Sequence, residues 1–279
     1  MPVDPLDALQ PGEIPVEPRS EFRADLHRRL VAAVRGTDAP VPASVTAGRP
    51  SWLYYFTLPT HDVARAQRFY TELFGWAMTA NADDSGLHVE GVQPPMGVST
   101  NSGADARLWF VVDDGHAAVA TVRRHGGAAD EPVHYESGSA ADCRDDQGTE
   151  FSLSEPSYPT EPVPSTRAGE LFYFSMPVAD GARARAFFGA VFGWTFDPPG
   201  PGGGQRVANS QPDGGIDTGF PGHAPTLFFR VDDLEAAMAT VRSLGGTAEA
   251  VGGGAEGVHA ICTDDQGVTF GLSQPNPGY

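Results

Sequence analysis

Apolar and polar positions alternate along Trp52 to Leu58, and period two reads as a strand. Pro59 to Asp62 turns the chain, with Asp62 in a helix-capping position. From Val63 to Phe74 the period changes. Ala66, Phe69, Tyr70 and Leu73 share one helical face, and Gly75 ends the helix. Trp76 starts a second strand, and Gly86 to Val98 reads as short strands. Leu108 to Val112 is a strong strand closed by Asp113-Asp114. A helix follows from about His116 to Arg124 and stops at Gly126-Gly127. A strand containing Cys143, the turn Asp145-Asp146-Gln147-Gly148 and a last strand, Thr149 to Leu153, complete the series. The glycine-rich stretches 198–204 and 252–254 read as loops. They lack the preceding strand and following helix of a phosphate-binding loop.

The series occurs twice. Tyr54 to Trp76 returns as Phe172 to Trp194 at an offset of 118 residues, and Leu108 to Gly127 returns as Leu227 to Gly246 at 119. Ala141 to Pro156 returns as Ala260 to Pro275. That period is too long for a solenoid and suits a duplicated module. The expected organisation is an N-terminal extension over 1–50, module 1 over 51–156, a proline-bearing linker over 157–169 and module 2 over 170–279. Within the extension, Ser20 caps an expected helix over about 20–35. Its stripe is Phe22, Leu26, Leu30, Ala33 and Val34. Such a stripe packs on the main body or docks a partner.

Composition narrows the chemistry. All 18 basic residues of the 279 are arginine, so no lysine is present for a Schiff base or a phosphate loop. Thirty-six acidic residues give a net charge of −18, which argues against nucleic acid and anionic membranes as partners. Cys143 and Cys262 occupy matching places in separate modules. They read as reduced and buried, as in a cytoplasmic protein. No signal peptide or membrane span is expected.

Strand, helix ending Phe-Gly-Trp, strands, strand with Val-Asp-Asp, helix ending Gly-Gly, then Asp-Asp-Gln-Gly and a last strand resembles the vicinal oxygen chelate superfamily. That group includes glyoxalase I, bleomycin-resistance proteins and extradiol dioxygenases. The resemblance implies an α+β fold: two tandem βαβββ modules forming curled mixed sheets around an open cavity, with the helices outside. Here the N-terminal helical extension precedes them. Metal-dependent members hold a divalent ion with His, Gln or Glu from the first, middle and last strands. Matched by motif, those positions fall on Tyr55 and Tyr173, on Arg107 and Thr226, and on Ser152 and Gly271. None is a normal ligand for such an ion, so no metal or other cofactor is expected unless the site is displaced. His88, Glu90, His134, Glu150 and His259 are the residues from which a displaced site would be built. His61, His116, His125 and His223 read as surface residues, and His88 also admits that reading.

Strand alternation sets Tyr55, Thr57, Arg107, Trp109, Val111, Glu150 and Ser152 on the concave side of module 1. The corresponding set in module 2 is Tyr173, Ser175, Thr226, Phe228, Arg230, Thr269 and Gly271. Rings with a few hydroxyls and charges suit an aromatic or hydrophobic small molecule. The same rings also suit plain filler between the modules. Arg107 has either an anionic ligand group or Glu150 as its partner. The favoured expectation is a metal-free binding protein of the bleomycin-resistance kind. The alternatives are a glyoxalase-like or dioxygenase-like lyase, isomerase or oxygenase with a displaced metal, and an interaction protein docking through its N-terminal helix. Monomer and homodimer both stay open.

Overall fold

In the computed structural model, which describes residues 49–81, 85–102, 105–200, 203–219, 224–254 and 257–277, four aspartates begin four helices. Asp62, Asp114, Asp180 and Asp233 have extended backbone, and each carboxylate accepts a first-turn backbone N–H. They start α1 (Val63–Phe74), α2 (Gly115–Arg124), α3 (Gly181–Phe192) and α4 (Leu234–Ser243). The second aspartate of each Val-Asp-Asp is therefore a helix cap. Gly75 and Gly193, at φ 71° and 66°, end α1 and α3 in the left-handed region, where a side chain would be strained. The helix expected over 20–35 and His223 lie outside the described residues.

Module 1 contributes β1 (Leu53–Pro59), β2 (Met78–Ala80), β3 (Gly86–Val89), β4 (Met96–Ser99) and β5 (Arg107–Val111). It continues with β6 (Ala128–Ala129), β7 (Val133–Tyr135), β8 (Gly138–Arg144) and β9 (Glu150–Pro156). These form one sheet ordered β2-β3-β4-β1-β5-β9-β8-β6, with β7 on β8. Module 2 contributes β10 (Leu171–Pro177), β11 (Gln205–Arg206), β12 (Asp213–Asp217), β13 (Thr226–Arg230), β14 (Thr247–Gly254), β15 (Gly257–Thr263) and β16 (Thr269–Pro275). Their order is β11-β12-β10-β13-β16-β15-β14. The run β2-β3-β4-β1 is matched by β6-β8-β9-β5, so the βαβββ order occurs twice within each module. The two runs join through the antiparallel pairs β1–β5 and β10–β13. In module 2 the counterpart of β2 shrinks to the single bridge Phe196–Val207. Residues 252–254, expected as a loop, end β14 instead. Antiparallel pairing with β15 supplies the backbone ladder that glycine's low strand propensity conceals.

The helices cover the convex faces, outside the curl of each sheet, and the two covered faces are turned toward each other. One continuous core results. Its aromatic contacts cross between modules. Phe74 and Trp76 lie 5.3 and 5.4 Å from Phe229 of β13. Tyr70 lies 5.9 Å from Phe270 of β16. Reciprocally, Phe192 and Trp194 lie 4.8 and 5.2 Å from Phe110 of β5, and Phe188 lies 5.8 Å from Phe151 of β9. The two Phe-Gly-Trp tryptophans also bond across. Trp76 Nε1 donates to Gly169 O at 3.0 Å, and Trp194 Nε1 donates to Ser51 O at 2.8 Å. Burial of a tryptophan this deep requires such a partner for its N–H.

Each Asp-Asp-Gln-Gly turn clasps the other module. Gln266 Oε1 accepts from the Asp62 and His61 amides at 2.7 and 3.1 Å and from Thr60 Oγ1 at 3.2 Å; its Nε2 donates to Asp62 O at 3.2 Å. Gln147 does the same at Asp180, accepting its N–H at 2.6 Å and donating to its carbonyl at 3.1 Å. Beside them, Arg65 pairs with Asp265 at 2.9 Å and Arg183 with Asp146 at 2.7 Å. The first aspartate of each motif, Asp145 or Asp264, is buried and accepts two backbone N–H groups of its own turn. Burial raises the pKa of both. Cys143 and Cys262 are free and buried, and burial pushes each thiol up to about 12.

Candidate functional site

Because the convex faces meet, the concave faces look away from each other. The sequence-derived lining therefore divides into two surfaces instead of one chamber between modules. A bulge shapes each. Leu53 and Tyr55 of β1 oppose the consecutive Phe110 and Trp109, leaving Tyr54 as an extra residue. Leu53 and Phe56 go to the core, while Tyr54 and Tyr55 both join the concave cluster. Simple alternation misses Tyr54 for this reason. The same irregularity lies between Leu171 and Tyr173, and Phe172 and Tyr173 are both half-buried.

On module 1 the face is filled. Trp52, Tyr54, Tyr55, Trp109 and Val111 form a second apolar cluster, with Tyr158 from the linker packed on it. The Tyr54 and Tyr158 hydroxyls share a short hydrogen bond. Tyr55 and Trp109 meet edge to face at 5.4 Å. Tyr55 is 4% exposed, and burial raises its phenol's pKa. Its hydroxyl lies over Gly97, where an added Cβ would come within 2.6 Å. Arg107 does not reach Glu150. It pairs with Asp142 at 2.5 Å, and Asp142 also accepts from the buried Ser152 hydroxyl at 2.7 Å. Asp142 stands directly opposite Ser152 in the β8–β9 ladder and so intercepts the guanidinium. Glu150 is exposed at the strand start and pairs with Arg144 at 2.7 Å. Thr57 is buried. His88, between the core residues Leu87 and Val89, takes the concave side; its Nδ1 is buried without a partner among the described residues, and burial lowers its pKa. A cavity of about 280 Å³ opens beside this cluster, walled by Trp52, Tyr54, Pro94, Tyr158 and Pro162. Ligand pockets of drug-like size start at roughly 300 Å³, so only a small molecule fits there.

On module 2 the face is more exposed at Phe172 and Tyr173, while Phe228 is buried at 9%. Tyr173 is half-buried, unlike its counterpart Tyr55, and meets Phe228 edge-on at 6.2 Å. The Tyr173 hydroxyl lies over Gly215, and the Phe228 ring lies across Gly271, where an added Cβ would come within 2.1 and 2.2 Å respectively. His259 stands 6.2 Å from Phe228, and its Nδ1 is 2.9 Å from the fully buried Ser273 hydroxyl. Ser175 and Thr226 are buried in the floor. Arg230, between the core residues Phe229 and Val231, is half-buried on the same concave side. Sequence reasoning missed Trp52, Tyr158, Asp142 and Ser273 as members of these faces. The consecutive aromatics at Tyr54-Tyr55 and Phe172-Tyr173 were the available signal for the bulges.

A model of the family described as "Bleomycin resistance protein-like N-terminal" matches residues 53–86 and again 171–203. A Mycobacterium tuberculosis protein named "Putative glyoxylase CFP32" is 26% identical over 262 residues, covering 85% of this chain and 99% of its own length. Among solved structures, catechol 2,3-dioxygenase superposes with a TM-score of 0.58 at 13% identity, over 83% of this chain and 91% of its own. Homoprotocatechuate 2,3-dioxygenase from Arthrobacter globiformis gives 0.62 at 16%, over 84% of each. The chain is thus similar to vicinal oxygen chelate proteins: a bleomycin-resistance-like family model matches in both modules, and the fold is that of extradiol dioxygenases. The divalent ion of metal-dependent vicinal oxygen chelate proteins does not fit the residues present. The first-strand position holds a tyrosine whose hydroxyl rests on a neighbouring glycine in both modules. The middle position holds an arginine already paired with Asp142, or the buried Thr226. The last-strand position holds Ser152, or Gly271 beneath a phenyl ring. Among the described residues, no three His, Cys, Asp or Glu side chains gather as a metal-binding group. None of the described helices is long and apolar enough to cross a membrane.

Proposed function

We propose that this protein binds an aromatic or hydrophobic small molecule on the concave face of module 2, without the metal of vicinal oxygen chelate proteins. The observation carrying this reading is the replacement of the last-strand ligand by Gly271 and the laying of the Phe228 ring across it, next to the half-buried Tyr173. An aromatic surface stands at the position that the family resemblance assigns to the last-strand ligand. Rings at such a surface stack or meet edge-on with a planar guest, each pair contributing about 0.5–1.5 kcal/mol beyond area burial. The family model's bleomycin-resistance description supports a binding role. The glyoxylase name of the mycobacterial relative supports the enzymatic alternative, a lyase, isomerase or oxygenase with a displaced metal.

Titration with the neutral fluorophore N-phenyl-1-naphthylamine tests the binding role. Saturable binding that Phe228→Ala weakens by about threefold to tenfold is expected. Absence of saturable binding would overturn it. Elemental analysis of protein purified without chelator tests the alternative, and a stoichiometric transition metal would establish that alternative in place of the metal-free role.

A further inference from the structure

We infer that the guest on module 2 carries an anionic group and that Arg230 selects it. This rests on the aromatic site proposed above and adds its charge. The chain has two acidic residues for every basic one, so carboxylates are in excess and arginines find partners easily. Arg49, Arg65, Arg107, Arg123, Arg144, Arg167, Arg183 and Arg206 are each paired with a carboxylate. Arg185 is bonded to Gln205, and Arg242 to the Ala248 carbonyl. Arg68 and Arg124 point into solvent from helix surfaces. Arg230 differs from all of these. It is half-buried, sits on a strand, and its guanidinium has no partner among the described residues. The nearest buried carboxylate in its backbone ladder, Glu170, is already taken by Arg167 and by the amides of Thr166 and Arg167.

Placement on the sheet completes the reasoning. Arg230 is two residues from Phe228 on the same face and stands opposite Ser273, whose hydroxyl is held by His259. A ring lying over Phe228 and Tyr173 would thus present a substituent along the strand to the guanidinium. Partial burial of an unpaired cation is costly, and a carboxylate or sulfonate offers it the charge-assisted, two-pronged contact that arginine's planar fork favours. In module 1 the equivalent position is Val111, packed within the closed aromatic cluster. The cation therefore belongs to the module 2 face alone.

Two fluorophores with the same ring system separate charge from shape. 1-Anilinonaphthalene-8-sulfonate carries a sulfonate, and N-phenyl-1-naphthylamine does not. The full-length protein is expected to bind the sulfonate at least about tenfold more tightly. Arg230→Leu should abolish that preference by weakening only the sulfonate, while Arg230→Lys keeps part of it. Arg230→Gln serves if the leucine variant loses its folded circular dichroism. Equal binding of the two dyes to the parent protein, or a preference surviving in the leucine or glutamine variant, would overturn the role of Arg230 and leave the aromatic site standing. Dye binding insensitive to Phe228→Ala, or no binding of either dye, would overturn the aromatic site and this inference with it.

Discussion

Gln266→Ala tests whether the Asp-Asp-Gln-Gly turns join the two modules into one cooperative unit. The substitution removes four hydrogen bonds at the start of α1: three accepted by Gln266 Oε1 and one donated by its Nε2. A typical intramolecular hydrogen bond contributes about 0.5–1.5 kcal/mol net. His61 and Asp62 are exposed, so water replaces part of what their amides lose. That places the expected cost at about 1.5–3 kcal/mol, below the simple sum of four bonds. The neighbouring Arg65–Asp265 pair is partly exposed, and its loosening adds at most about 1 kcal/mol. Urea unfolding followed by tryptophan fluorescence and by far-ultraviolet circular dichroism measures this. Both probes should report one transition, because Trp76 and Trp194 each lie in the shared core. The midpoint should fall with the slope unchanged. A loss below about 0.5 kcal/mol would refute the clasp. Two separated transitions, with only the module 2 transition displaced, would refute the shared core.

Restoring a family-like glutamate exposes the packing that replaced it. In Gly271→Glu the new Cβ would lie 2.2 Å from Phe228, so the ring must move, and a loss of about 1–3 kcal/mol in thermal unfolding is expected. Adding Phe228→Ala should recover part of that loss. A purely additive double-mutant cycle would show that the ring and the glycine are not coupled. Asp264→Asn isolates a pH effect. Burial raises the pKa of Asp264, so the folded state holds its proton more tightly than the unfolded state does. The stability this contributes is full below the ordinary aspartate pKa of about 3.9 and declines as pH rises through the raised value. The stability gap between the parent and Asp264→Asn should therefore narrow from pH 4 towards neutrality. A gap independent of pH in urea unfolding would contradict the raised value.

Much of the architecture was determined by the chain's own pattern. Aspartates before apolar-periodic runs cap helices locally, and Gly75 ends α1 locally, so α1 and α2 were legible with near-correct bounds and α3 and α4 as their repeats. The family resemblance, too, placed Tyr55, Tyr173, Ser152 and Gly271 at the expected ligand positions. What tertiary structure decided was which surfaces meet. Period-two alternation sorts the two sides of a strand, but it says nothing of what covers a side, and it fails where a bulge inserts Tyr54. Phe110 and Phe229 lie on the core side of their strands, yet the helices they receive come from the opposite module. The partner of Arg107 was decided by the β8–β9 register, which brings Asp142 nearer than Glu150. The solitude of Arg230 and the closure of module 1 by Trp52 and Tyr158 have the same origin. Contacts between residues far apart in sequence depend on how two sheets dock, and that is settled by the fit of their shared aromatic core and not by any local propensity.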